Sequence, residues 1–122
     1  MVFTRARIEE KLGKPVKCKN EIKNEVCFGG ELASPIRVQF DEAGVVKKIV
    51  ISTLCSGIRG LKGKLDEMVP VEDRGKYVKQ STLSLPGACE TITQDEYECV
   101  KIKYAQSNCM NCIPASVTAE WK

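Results

Sequence analysis

A chain of 122 residues is long enough to bury roughly two thirds of its unfolded surface in one core and too short for two ordinary domains. Hydrophobic content of 43% and charged content of 29% exclude intrinsic disorder. A net charge of +3, from 19 basic and 16 acidic residues, excludes the strongly basic balance of a dedicated nucleic-acid binder.

The first ten residues have basic side chains but no apolar run after them, so they do not read as a signal peptide. No stretch approaches the ~18 apolar residues of a membrane span, and nothing in the chain names a compartment. A short N-terminal helix is predicted instead. Thr4 suits an N-cap, Phe3 and Ile8 occupy the positions of a hydrophobic staple, and Gly13 followed by Pro15 is a stop.

Beyond Val16 the apolar period shifts from helical to alternating. Glu25 to Phe28 reads as a short strand halted by Gly29-Gly30. Residues 35–40 alternate apolar with polar, Asp41-Glu42-Ala43-Gly44 is turn chemistry, and Val45 to Leu54 is rich in β-branched residues. A hairpin is predicted there, with Ile36, Val38 and Phe40 on one face and Ile49 and Ile51 on the matching one. Only Lys64 to Val69 reads as helical in the middle of the chain, through Leu65, Met68 and Val69, with Pro70 ending it. Lys76 to Leu85 reads as a strand stopped by Pro86-Gly87. Tyr97 to Tyr104 and Ile113 to Trp121 read as two more.

These elements predict a mainly β fold, an antiparallel β-sandwich or small barrel with a short N-terminal helix, built as a single β-rich domain over residues 1–122. A parallel sheet would need crossover helices of about ten residues or more, which the pattern does not offer.

Seven cysteines without a single histidine dominate the chemistry. Cys55, Cys89, Cys109 and Cys112 fall at expected strand ends and loops, the places for staples or metal ligands, and Cys99 joins them as a candidate because it falls on the strand face opposite Val100, Ile102 and Tyr104. Cys18 and Cys27 flank a turn and are candidates for a local disulfide, as are Cys89 and Cys99. Bridges of this kind stabilise by about 2–4 kcal/mol each. The alternative is zinc: Cys109-x-x-Cys112 has the spacing of half a tetrahedral site, which Cys89 and Cys99 would have to complete. A third reading, thiol redox chemistry at Cys109 and Cys112, needs a helix after the motif, and Pro114 with an alternating strand stands there instead.

Gly57, Gly60 and Gly63 recur every third residue among Arg59, Lys62 and Lys64. Such a run reads first as a turned surface loop, with an anion contact through the three cations as the functional alternative. Lys101, Lys103 and Lys79 would line a basic strand face, diluted by Glu90, Glu96 and Glu98, which gives nucleic-acid binding weak support. No catalytic residues are assigned: the usual general base is missing, and Asp41-Glu42, Asp66-Glu67, Glu72-Asp73 and Asp95-Glu96 read as solvated carboxylates.

The expectation is therefore a non-enzymatic structural or interaction module without a cofactor, held by cysteine cross-links. It would belong to a larger assembly such as a viral or extracellular particle or a surface complex, through a protein partner or self-assembly. The alternative is a small Cys-liganded zinc protein contacting nucleic acid or a protein, and the third a thiol oxidoreductase.

Overall fold

The computed structural model describes residues 4–13, 15–16, 24–29, 36–53, 57–85, 87, 89–107 and 115–122. Helix α1 spans Arg5–Leu12, with Thr4 at its N-cap in extended backbone. Thr4 caps by conformation alone, since its side chain makes no capping hydrogen bond. Gly13 closes the helix at φ 83°, a left-handed position that favours glycine, and its N–H reaches the Glu9 carbonyl at 2.8 Å. Ile8 is fully buried, while its expected staple partner Phe3 lies outside the described residues.

The strands are β1 (Pro15–Val16), β2 (Glu25–Phe28), β3 (Ile36–Phe40), β4 (Val46–Thr53), β5 (Tyr77–Leu85), β6 (Glu90–Tyr97), β7 (Val100–Ser107) and β8 (Ala115–Trp121). They form one antiparallel sheet in the order β1-β2-β3-β4-β8-β7-β6-β5. Two meanders are joined by helix α2 (Gly57–Met68) and a 3-10 turn at Val71–Arg74. The second meander starts at the far edge and works inward, so that β8 docks beside β4.

The fold is mainly β and antiparallel with a short N-terminal helix, as predicted. The sheet stays open where a barrel would close, and the layer across its core is helix α2, where a sandwich would place a second sheet. α2 packs over β8, β4 and β7.

α2 also corrects the reading of the glycine run. Residues 57–63, expected as a loop, are the first half of this helix. Each glycine costs about 1 kcal/mol relative to alanine in a helix. Burying a leucine or methionine side chain returns about 1.5–3 kcal/mol, and Leu61, Leu65 and Met68 recur at i, i+4 and i+7 with at most 1% exposure. Packing therefore outweighs propensity.

The β3–β4 hairpin forms as read. Val38 lies opposite Ile49 and Phe40 opposite Val46, with a register shift between Gln39 and Phe40. Asp41 organises the turn: its carboxylate accepts the N–H groups of Ala43 and Val45, both at 2.9 Å, while Gly44 takes φ 80°. On the helix side of the sheet, Ile36, Val38, Ile49, Ile51, Ile102 and Val117 are buried in one core with Leu61, Leu65 and Met68 of α2, and Phe28 and Ile8 extend it.

Two strand readings change. The segment Glu90–Tyr97, in which Asp95-Glu96 was expected in a loop, is strand β6. The stretch from Tyr97 to Tyr104 is interrupted: Tyr97 ends β6, Glu98-Cys99 turn the chain, and β7 starts at Val100.

Candidate functional site

Strand register organises the outer face of the sheet, the one turned away from α2. Lys79, Glu96, Lys101, Glu120, Lys48, Gln39 and Glu25 follow one another from β5 to β2, each directly opposite the next. Charge sign alternates along the first five positions. Such opposite-charge pairs each contribute a few tenths of a kcal/mol. The row ends in a side-chain hydrogen bond from Gln39 Nε2 to Glu25 Oε2 at 3.0 Å. Lys122 Nζ donates to Glu96 Oε2 at 2.9 Å, and this hydrogen bond, with Lys101 and Lys79 nearby, holds the Glu96 carboxyl below its usual range.

The next row, Ser81, Gln94, Lys103, Thr118, Val50 and Arg37, contains no carboxylate. Where the two rows meet, Gln94, Lys101, Lys103, Thr118, Glu120, Trp121 and Lys122 line an open concavity of about 380 Å³. The basic strand face expected from Lys101 and Lys103 exists, and Glu96 and Glu120 interrupt it on both sides of Lys101. Its field is that of a mixed surface.

On the helix side, Arg74 is the one charged residue among the described buried side chains, at 2% exposure. Nε donates to the Val69 carbonyl at 3.0 Å, Nη1 to the Tyr97 hydroxyl at 3.3 Å, and Nη2 to Asp66 Oδ1 at 2.6 Å. The guanidinium also lies 5.2 Å from the centre of the Tyr97 ring. Burial opposes the charge, but the bonds to Asp66 and Tyr97 outweigh it and hold the pKa above its ordinary value. Arg74 thus ties the end of α2 to the end of β6. Nothing in the sequence marks it, since Glu72-Asp73-Arg74-Gly75 reads as a solvated charge cluster. Alongside it, Arg7 Nη2 pairs with Asp73 Oδ2 at 2.9 Å, fastening α1 to the 3-10 turn.

The candidates from sequence are scattered. Cys27 is buried on β2, and Cys27 and Cys89 each take part in a disulfide of their own. Cys99 is a free, half-buried thiol, which corrects the expected Cys89–Cys99 bridge. It sits in the β6–β7 turn, where the chain packs against Gly75: a Cβ on Gly75 would approach Cys99 Sγ to 3.1 Å and Glu98 Cβ to 2.8 Å. Cys18, Cys55, Cys109 and Cys112 lie outside the described residues. Among the described residues, no three Cys, Asp or Glu side chains converge as a metal ion requires.

The expected anion contact of Arg59, Lys62 and Lys64 loses its loop. Lys62 reaches over the Tyr104 ring at 4.8 Å and Lys64 pairs with Glu67 at 3.8 Å, so the two are directed to different neighbours. The Arg59 side chain is not among those described. Helical geometry also commits the amides beyond the first turn to the helix ladder.

The two sheet edges differ most of all. Among the described residues β1 contributes Pro15–Val16, and Pro15 has no N–H to offer a further strand. β5 is nine residues long and, among the described strands, pairs only with β6. Every residue from Tyr77 to Ser84 is exposed, including Tyr77 and Leu83 at 54% and Val78 at 53%. From Gln80 to Leu85 it carries neither charge nor proline. Sequence periodicity predicts this strand, but only the topology places it at an edge.

No family model, curated protein or solved structure matches the chain. Among the described residues, no helix is long and apolar enough to cross a membrane.

Proposed function

We propose that this chain is a non-enzymatic interaction module that enters a larger assembly by strand pairing at β5, with cysteine cross-links reinforcing the body that presents it. One observation carries the reading: a long edge strand exposed from Tyr77 to Ser84 and free of charge from Gln80 to Leu85. An edge strand directs the N–H and C=O groups of alternate residues away from its only neighbour, and these are matched by another strand. Proteins commonly blunt such edges with charge, proline, bulges or a covering segment. β5 has its one bulge at the start, between Tyr77 and Lys79, and leaves the remainder open. The disulfide bonds at Cys27 and Cys89 support the stapling part of the reading.

Amine-reactive cross-linking of the protein in its native assembly, read by mass spectrometry, tests this. Intermolecular links concentrated at Lys79 and Lys76, beside the open edge, are the expected result. Links confined to Lys47, Lys101 and Lys103, with none near β5, would contradict it.

A further inference from the structure

From the same edge we infer the partner: β5 of a second copy of this chain, paired antiparallel about a two-fold axis normal to the sheet and passing between the two Thr82 residues. The inference rests on the interaction reading above and adds occupant, direction and register to it.

Direction follows from the one charge on the strand. Parallel in-register pairing sets Lys79 against Lys79, whereas antiparallel pairing about Thr82 sets Lys79 against Leu85 of the copy. Register follows from symmetry and chain chemistry. Directly opposite residues share a face, so a two-fold normal to the sheet joins residues of equal parity and passes through one residue position. With Thr82 on the axis, Gln80 faces Ser84, Ser81 faces Leu83, and the seven residues Lys79–Leu85 of each copy are paired. Moving the axis to Leu83 brings Pro86, which has no N–H, opposite Gln80. Moving it to Ser81 shortens the paired charge-free run and draws the two Lys79 residues together.

Closure follows from the other edge. Head-to-tail growth would need β5 to pair with β1, whose described part, Pro15–Val16, opens on a residue without an N–H. Among the described strands, the edge that matches β5 in length is β5 of another molecule, so the association closes as a dimer in place of a filament. The two sheets become one continuous sheet with their outer faces on the same side.

The pairing face is also compatible with itself. On the helix side, Gln80, Thr82 and Ser84 come together across the axis, all uncharged. On the outer side, Ser81 meets Leu83 and extends the apolar contact that Leu83 already has opposite Ile92. The alternating charge row reaches only Lys79, so neither copy brings a like charge directly against its own.

Sedimentation equilibrium of the wild-type chain and three exposed-site variants tests the register. The wild type is expected to show a concentration-dependent monomer–dimer equilibrium. T82K and T82E, each placing like charges opposite one another on the axis, are expected to weaken the dimer about fivefold at low salt, the effect of one like-charged cross-strand pair. An equimolar mixture of the two restores association by setting an ammonium against a carboxylate across the axis, a rescue that only an axis through position 82 provides. L83K, set against Ser81 of the copy, weakens the dimer less than T82K. Unchanged thermal midpoints show that the variants fold.

Dimerisation unaffected by T82K, or no rescue on mixing, would overturn the proposed pairing. A wild-type chain that stays monomeric with rapidly exchanging β5 amides would overturn self-pairing while leaving the interaction reading standing. A monomer with those amides protected would remove both.

Discussion

The two halves of the second meander show how differently one sheet can be stabilised. Strands β7 and β8 lie under α2, and alternate residues on them, Ile102, Tyr104, Val117 and Ala119, are buried to 6% exposure or less. Strands β5 and β6 continue the same sheet beyond the helix, and there the helix side is polar: Gln80, Thr82 and Ser84 face Asp95, Thr93 and Thr91. The covered half is held by apolar burial, the hairpin by ladder hydrogen bonds, cross-strand pairs such as Gln80 Nε2 to Asp95 Oδ1 at 2.7 Å, and the Arg74 tie at its base. A β-hairpin of this kind needs a third strand or a packed face to persist. β7 supplies the third strand on one side, and the other side is left available.

The contrast is broken most directly by truncation. Leu65→Ala, beneath the sheet centre, is expected to cost about 2–5 kcal/mol through lost burial and a residual cavity. Leu83→Ser, on the open hairpin, should change stability by less than about 0.5 kcal/mol in the dilute monomer. Urea unfolding of both variants measures the gap, and equal costs would mean the hairpin is packed as tightly as the core.

The tie between the halves comes next. Arg74→Met should cost roughly 1–3 kcal/mol, because it removes the donor to the buried Val69 carbonyl and Tyr97 hydroxyl while Asp66 stays half exposed. Loss of protection beginning in β6 near Tyr97, read by hydrogen exchange, distinguishes a hinge role from general destabilisation. Gly75→Ala acts at the same place, since Gly75 holds φ 80° and has no room for a Cβ beside Glu98. It should cost on the order of 1–3 kcal/mol in backbone strain and displaced packing.

Titration sharpens the comparison further. Burial pushes the Tyr104 hydroxyl up to about 12, so the folded chain keeps its proton after the unfolded chain has lost it near pH 10. Stability from this group is therefore complete below about pH 10 and falls as pH rises toward 12. Y104F should flatten that part of the profile in an unfolding series across the alkaline range. Smallest in magnitude and opposite in sign, Gly63→Ala should stabilise by up to about 1 kcal/mol, because the site is helical, exposed and open around the missing Cβ.

Much of this fold is legible in the sequence where burial is one-sided. β3, β4, β7 and β8 announce themselves because each alternates apolar residues toward a single face, β2 because an apolar run stops at Gly29-Gly30, and α1 because Thr4 and Gly13 bound it. β6 escapes periodicity since both its faces are largely polar, and Thr91, Ile92 and Thr93 are its only run of β-branched residues. The first half of α2 escapes for another reason: three glycines oppose a helix locally, and only the tertiary burial of Leu61 and Leu65 reverses the balance. Of the candidate site, the strand β5 is readable but its place at an edge is not, because strand order is a property of the crossover made by α2. Arg74 is unreadable on the same ground, its partners lying 5, 8 and 23 residues away along the chain.

Native-state hydrogen exchange resolved to single amides, on protein dilute enough to be monomeric, reaches the central claim most directly. Rapid exchange at alternate residues along Gln80–Ser84, beside slow exchange throughout β7 and β8, is the result predicted for an open edge, with protection returning to β5 as concentration rises. Uniform slow exchange along β5 in the dilute monomer would contradict the account.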